Sequence, residues 1–255
     1  MKVGLIGMGV VGRAQARMFG PAVHVVYDPR LDPRPYPHRA LAECDFAVIA
    51  VGTPPRKDGS CDTSYVQAAY DMLPLQLPVM IQSTVPPGTT DSLSGVSNNL
   101  TVFVPEFLHE REGGQYRESA DVPFLILGGT EAAREYFRPF LAKVHPAPVH
   151  ECPAIIAEMI KYTDNVYWAS RVTFINEMGR ICDAAGIDFE QVRAGWLADP
   201  RMSPAYTSYR GFPPGFGGPC WPKDLSALIR FASDAGYEPE FLHAVAEANA
   251  RFTGG

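Results

Sequence analysis

An α/β fold is predicted for this chain, with a Rossmann-like nucleotide-binding domain first and a mainly α-helical central domain with a long helix after it. Three observations carry the prediction. Short apolar runs of strand length alternate with helical segments through the first half. The first of these runs leads directly into Gly7-Met8-Gly9-Val10-Val11-Gly12 and a helix. From Pro153 to about Ala185 apolar residues recur at helical spacing, with Gly179 the sole internal Gly or Pro.

The elements follow in order. Residues 3–6 form a buried strand, and the glycines after it fit a strand-turn-helix unit. Gly7 allows the tight turn, Gly9 lets backbone approach a pyrophosphate, and Gly12 permits close packing of helix on strand. Val10 and Val11 then open the helix whose N-terminus would face the phosphates. The next strand, His24-Val25-Val26-Tyr27, ends at Asp28, at the spacing expected of an acid that binds the adenine ribose. Strand, glycines, helix, strand and terminal acid together predict a dinucleotide site. Asp28 would accept the ribose hydroxyls and repel a 2′-phosphate, which favours NAD over NADP, while Arg30 and Arg34 pull the other way.

Runs at residues 46–51, 78–82 and 100–104 suit further buried parallel strands. Their ends carry Gly52-Thr53-Pro54-Pro55, Ser83-Thr84-Val85-Pro86-Pro87-Gly88 and Pro105-Glu106-Phe107-Leu108-His109-Glu110. Ligands of open α/β sheets bind beyond the carboxyl ends of the strands, so these loops should face one crevice, with Thr53 and Thr84 beside the cofactor. Residues 124–129 add another strand. The first domain is assigned to residues 1–150 and the second to 151–255.

In the second half the expected helix is on the order of 45 Å long and stops at Gly186. That length exceeds what a small domain needs, so it should bridge two domains or pack against a second subunit. Lys161 and Asn165, four apart, share a face of it. A shorter helix is expected near residues 189–197. The Pro/Gly/Tyr-rich stretch 199–219 is too long for a simple connector and suggests a functional loop. It leads into Gly215-Phe216-Gly217-Gly218-Pro219-Cys220-Trp221-Pro222-Lys223-Asp224. Pro222 suits the first turn of a helix, so Cys220 should lie at its positive end, with Lys223 near and Asp224 one turn on. Both influences favour the thiolate, the form that acts as a nucleophile.

The composition narrows the classes. With 46% hydrophobic residues the chain can bury a substantial core and is neither disordered nor fibrous, and a net charge of −6 argues against a nucleic-acid surface. Cys44, Cys61, Cys152, Cys182 and Cys220 are odd in number and scattered, with no metal-ligand spacing, so neither a disulfide framework nor a metal site is expected. No run approaches membrane-spanning length, and Met1 stands directly before the first strand, which leaves no room for a signal peptide. The expected location is the cytoplasm, with no membrane partner.

Taken together, the motifs resemble those of the nucleotide-sugar 6-dehydrogenases, the UDP-glucose/GDP-mannose dehydrogenase family. They fall in family order: GxGxxG at residues 7–12, DGSCDTSYV at 58–66, STVPPGTT at 83–90, PEFLHE at 105–110, the Lys161 and Asn165 pair, Asn176-Glu177, Asp199-Pro200-Arg201 and GFGGPCWPKD at 215–224. The resemblance implies two successive NAD-dependent oxidations of a C6 alcohol to the uronic acid through a thiohemiacetal and a thioester on Cys220. It also implies roles. Lys161 and Asp224 manage protons and hold the catalytic water, Asn165 orients the sugar, Glu106 is the base for hydrolysis, and Thr84 is a ligand of its water. Phe107, Leu108, Glu110 and Gly217 contact the substrate, and Arg201 reaches the substrate of a neighbouring subunit in a homodimer. UDP-glucose is the expected substrate. The chain departs from the family in stopping near residue 252, where a third, nucleotide-binding domain would begin, in shortening residues 28–46, and in having Pro219 where a serine is usual. A dehydrogenase acting on a sugar or acid without a nucleotide, and a non-catalytic NAD-binding interaction module, are the alternatives.

Overall fold

The computed structural model describes residues 1–31, 35–108, 110–111, 115–116, 122–210 and 213–254, with backbone alone at 110–111 and 115–116. Two compact units emerge. One comprises Met1–Pro54 with Asp62–Lys161, the other Pro55–Cys61 with Tyr162–Gly255. The division therefore falls inside the long helix, whereas the sequence reading draws its line at 150/151.

The first unit is built on a seven-stranded sheet. Strands β1 (Val3–Ile6), β2 (Val23–Tyr27), β3 (Phe46–Ile49), β4 (Val79–Ile81) and β5 (Thr101–Phe103) are parallel, in the order β2-β1-β3-β4-β5. Helices α1 (Val10–Phe19), α2 (His38–Ala42), α3 (Ser64–Asp71) and α4 (Thr89–Ser97) connect them. The central strands are buried on both faces, as their unbroken apolar runs require. Ala47, Ile49, Val79, Ile81 and Phe103 line one apolar cluster, and Phe46, Val48, Met80 and Val102 the other. Alternate residues thus serve opposite faces, the period of two that a strand imposes.

A short antiparallel pair, β6 (Glu110–Arg111) and β7 (Gln115–Tyr116), precedes β8 (Leu125–Gly129). The strand expected at residues 124–129 is β8, and it joins β5 antiparallel. Helix α5 (Glu131–Val144) follows, capped by Thr130, whose hydroxyl accepts the Ala133 N–H at 3.3 Å. It leads to an edge strand, β9 (Val149–Cys152), parallel to β8 and not foreseen in the sequence. Only Cys152 of its four residues is buried and two of them are His150 and Glu151, so the strand shows no apolar run to a search for one.

Helix α6 (Ala154–Ala185) has 32 residues and belongs to both units, as the unbroken helical pattern predicts. Gly186 ends it with φ +70°, the left-handed conformation that closes a helix. In the second unit α7 (Phe189–Trp196), α8 (Trp221–Asp234) and α9 (Glu240–Thr253) share apolar clusters with the later part of α6. Val166, Ala169, Phe216, Leu225 and Val245 form its main core. The segment Pro55–Cys61 also belongs here. It is closed by a bridge between Pro55 and Cys61, and Cys61 packs with Tyr162 and Ala227. Ser226 donates to the Gly59 carbonyl at 3.1 Å, and Arg230 pairs with Asp58.

Candidate active site

In the first unit the turn after β1 has the shape a dinucleotide needs. Gly7 has φ +93°, and a methyl group there would meet the Ala50 carbonyl oxygen at 2.4 Å. One on Gly12 would meet the Gly7 carbonyl oxygen at 2.0 Å, so two glycines are demanded by packing. Gly9 differs. It caps α1 with nothing within 4 Å of where a Cβ would stand, and as a glycine it offers the helix end no capping side chain. The α1 terminus that Gly9 opens thus has room beside its cap, and a positive helix end with such room is suited to a pyrophosphate.

Asp28 follows β2 and is buried. Its Oδ2 accepts the Met8 N–H at 2.8 Å and its Oδ1 the Arg30 N–H at 3.0 Å. Burial raises its pKa, but the two amides and the Arg30 guanidinium outweigh that and leave it below the usual carboxylate value. The acid is thus ionised and fixed against the glycine turn. Arg30 lies 3.7 Å away on the surface, and Arg34 is outside the described residues.

The strand-end loops are joined to one another. Thr53 is buried and donates from Oγ1 to the Thr84 carbonyl at 2.9 Å, and Ser83 donates to the Val51 carbonyl at 2.8 Å. Behind them Glu158, fully buried on α6, accepts the Gly88 N–H at 2.6 Å, the Thr90 N–H at 2.8 Å and the Thr90 hydroxyl at 2.6 Å. It caps the first turn of α4. Burial pushes its carboxyl up to about 7 against the pull of these three donors. The roles drawn from the motifs omit Glu158, although a single acid inside the apolar stretch 154–160 was a signal for it.

Glu106 follows β5. Its Oε2 accepts Gln15 Nε2 at 2.6 Å, and its Oε1 accepts the Phe107 N–H at 3.1 Å. Phe107 is buried, with the Lys161 ammonium 4.8 Å from its ring centroid, and Lys161 is itself only 8% exposed. A cation over an aromatic face retains attraction when removed from water. Leu108 is half-buried, and the Glu110 side chain lies outside the described residues.

In the second unit the loop expected to carry the nucleophile ends with Cys220 as the N-cap of α8, exposed and in no disulfide. Pro222 occupies the first turn, as expected. The other four cysteines are buried, and burial raises two of them, Cys44 to about 11 and Cys152 in the same direction. Asp224 is buried one turn into α8. It accepts Asn165 Nδ2 at 2.5 Å and the Lys223 ammonium, so the charge of Lys223 is paired with Asp224. The approach to Cys220 is held by two asparagines. Asn176 Oδ1 accepts the Gly215 N–H at 3.0 Å, while Asn249 of α9 accepts the Phe216 N–H at 2.7 Å and donates to its carbonyl at 3.0 Å. No local pattern marks Asn249. Gly217 is exposed, with nothing within 4 Å of where a Cβ would stand. Arg201 is exposed and folded back on Asp199 through a two-pronged ion pair. Among the described residues no group of three or more His, Cys, Asp or Glu is placed to hold a metal ion, and no helix is long and apolar enough to cross a membrane.

Comparison with known proteins matches residues 25–144 to the NAD binding domain of the UDP-glucose/GDP-mannose dehydrogenase family and residues 156–251 to the central domain of the same family. The chain belongs to this family. NAD is accordingly its cofactor, and the glycine turn with Asp28 fits that molecule. A family relative, a UDP-glucose 6-dehydrogenase of Pseudomonas aeruginosa, is 35% identical over 235 residues, covering 83% of this chain and 49% of its own. The structure of a UDP-glucose dehydrogenase from Pyrobaculum islandicum superposes with a TM-score of 0.84 at 29% identity, over 98% of this chain and 68% of the other. That of a GDP-mannose dehydrogenase from Pseudomonas aeruginosa gives 0.63 at 26%, over 99% and 69%. The chain spans about half the length of the curated family members it matches.

Proposed function

We propose that this chain carries out the NAD-dependent oxidation of the C6 alcohol of a nucleotide sugar to the uronic acid, with UDP-glucose as substrate. The observation that supports this best is Cys220. Of five cysteines it alone is exposed, it stands at a helix N-terminus, and the buried Asp224 lies one turn on, bonded to Asn165.

NAD, when bound, supplies the hydride acceptor. Lys161 offers a positive charge to the alkoxide that forms as the alcohol loses its proton, and loss of hydride from C6 gives the aldehyde. The Cys220 sulfur adds to the aldehyde carbon, and the carbonyl oxygen takes up a proton, giving a thiohemiacetal. Pro219 has no N–H to offer the oxyanion, so Asn165 and Lys161 carry that role. A second hydride leaves the same carbon as the hydroxyl proton departs, which produces the thioester. Water, held by Thr84 and Asp224 and deprotonated by Glu106, attacks the thioester carbon. The C–S bond breaks, the thiol is restored and the carboxylate leaves. Phe107, Leu108, Glu110 and Gly217 are the remaining contacts with the sugar.

We assign the active species as a homodimer through α6. Tyr167, Phe174 and Ile181 recur every seven residues on that helix and are each about half exposed, an apolar stripe that a second copy would cover. Arg201 then serves the partner's substrate, exchanging Asp199 for a hydroxyl or phosphate.

The test is a panel of UDP- and GDP-linked sugars and free sugars, with NADH formation and product mass as readouts. Two NADH per uronic acid from a UDP-sugar is the expected result. Turnover of free sugars alone would favour the substrate class without a nucleotide, and NAD binding with no turnover of any sugar would leave an NAD-binding module.

A further inference from the structure

We propose that Gln15 is a positioning residue for Glu106, fixing the carboxylate that deprotonates the hydrolytic water; this rests on the reading of Glu106 as that base. Gln15 lies on α1 with Gly12 and Phe19, at spacings of three and four residues along the buried face of the helix, and is fully buried. Helix-to-sheet packing at such a position calls for an apolar side chain, because an amide taken out of water is costly unless its hydrogen bonds are replaced. Here the replacement is specific. Gln15 Nε2 donates to Glu106 Oε2 at 2.6 Å, across 91 residues of chain.

Glu106 Oε1 takes the Phe107 N–H at 3.1 Å, so each carboxylate oxygen has its own donor, one from the adjacent backbone and one from α1. Two donors on different elements set the rotation of the carboxylate, which a single one would leave loose. An N–H donated to a carboxylate also favours its ionised form, the form that can accept a proton. A cavity of about 20 Å³, room for one water, is lined by Gln15, Glu106, Gln82, His145 and apolar neighbours. His145 is the other titratable side chain in its described walls, and the Lys161 ammonium sits over the adjoining Phe107 ring. Gln15 therefore links the helix that opens the cofactor site to the group that finishes the reaction.

The test is Gln15→Leu, with Gln15→Met as the unbranched second variant should leucine not pack. We expect thermal stability to be kept and NAD affinity by calorimetry to stay within about twofold, since Gln15 is five residues beyond the start of α1. The NADH burst should persist while steady-state turnover falls about tenfold, with the acid limb of the pH–rate profile moved to higher pH. In a Glu106→Gln background the Gln15→Leu effect should vanish. A wild-type pH profile and turnover in Gln15→Leu, or effects that add in the double variant, would overturn the proposal. A Glu106→Gln enzyme with unchanged steady-state turnover would instead remove Glu106 as the base, and this role of Gln15 with it.

Discussion

Two glycine-rich turns in this chain run into helix N-termini, at residues 7–12 before α1 and at 215–220 before α8, and the contrast lies in what stands at the cap. Before α1 the cap is Gly9, no acid follows in the first turn, and nothing lies within 4 Å of where a Cβ on the cap would stand. Before α8 the cap is Cys220, and Asp224 supplies an acid within the first turn. The same backbone device therefore serves two ends. A bare cap leaves its partial positive charge for an incoming anion, while a side chain at the cap is itself held in that field. Supports differ too. The first turn is fixed by backbone crowding at Gly7 and Gly12, the second by side chains of Asn176 and Asn249.

The comparison is sharpened most by removing the capping thiol. Cys220→Ala should lower uronic-acid formation by a factor on the order of 10³ or more while leaving NAD affinity unchanged. Mass spectrometry of the product decides it, and wild-type acid formation by the variant would break the distinction between the two caps.

The two kinds of glycine in the first turn should separate next. Gly12→Ala drives a methyl into a backbone oxygen and should destabilise by roughly 1–3 kcal/mol or more. Gly9→Ala should change stability by less than about 0.5 kcal/mol yet weaken NAD about tenfold or more, because the methyl would occupy the approach of the phosphates. Chemical denaturation and calorimetry measure the two effects side by side.

Asn249→Ala tests the side-chain support of the second turn. Both Phe216 backbone groups lose their partner, so a loss of about 1–3 kcal/mol is expected, with slower turnover and unaltered NAD binding. Equal stability to wild type would mean that the glycines alone hold that loop.

The smallest effect concerns Glu158, under the strand-end loops. Burial raises its carboxyl from 4.5 to about 7, so the folded state binds a proton that the unfolded chain has released. This contribution is present in full below about pH 4.5 and declines as pH rises through about 7. Thermal melts between pH 5 and 8 should show that decline in the wild type and a flatter profile in Glu158→Gln.

Much of this was legible in the sequence because it is written locally. The GxGxxG turn, the acid at the end of β2, the apolar strands and the long α6 each need only neighbours along the chain to be recognised. The family order of motifs likewise marked Glu106, Lys161, Asn165 and Asp224. What escaped depends on partners distant in sequence. The Gln15 amide meets a carboxylate 91 residues away, and Glu158 caps a helix 68 residues before it. Segment Pro55–Cys61 carries a recognisable motif, yet nothing in its spacing says that it belongs with α8 through Ser226 and Arg230. Strand β9 escaped for a different reason, since an edge strand of four residues with one outward histidine has no apolar run to display.

The uneven exposure of the cysteines gives the protein a built-in counter. Four sulfurs are closed off by packing, so a thiol reagent applied to the folded chain has one position to reach, and Cys44 and Cys152 are further quieted by the raised pKa that burial gives them. Labelling stoichiometry then reports the fraction of intact Cys220 thiol in any preparation. A second label per chain would signal that the fold, rather than the site, has opened.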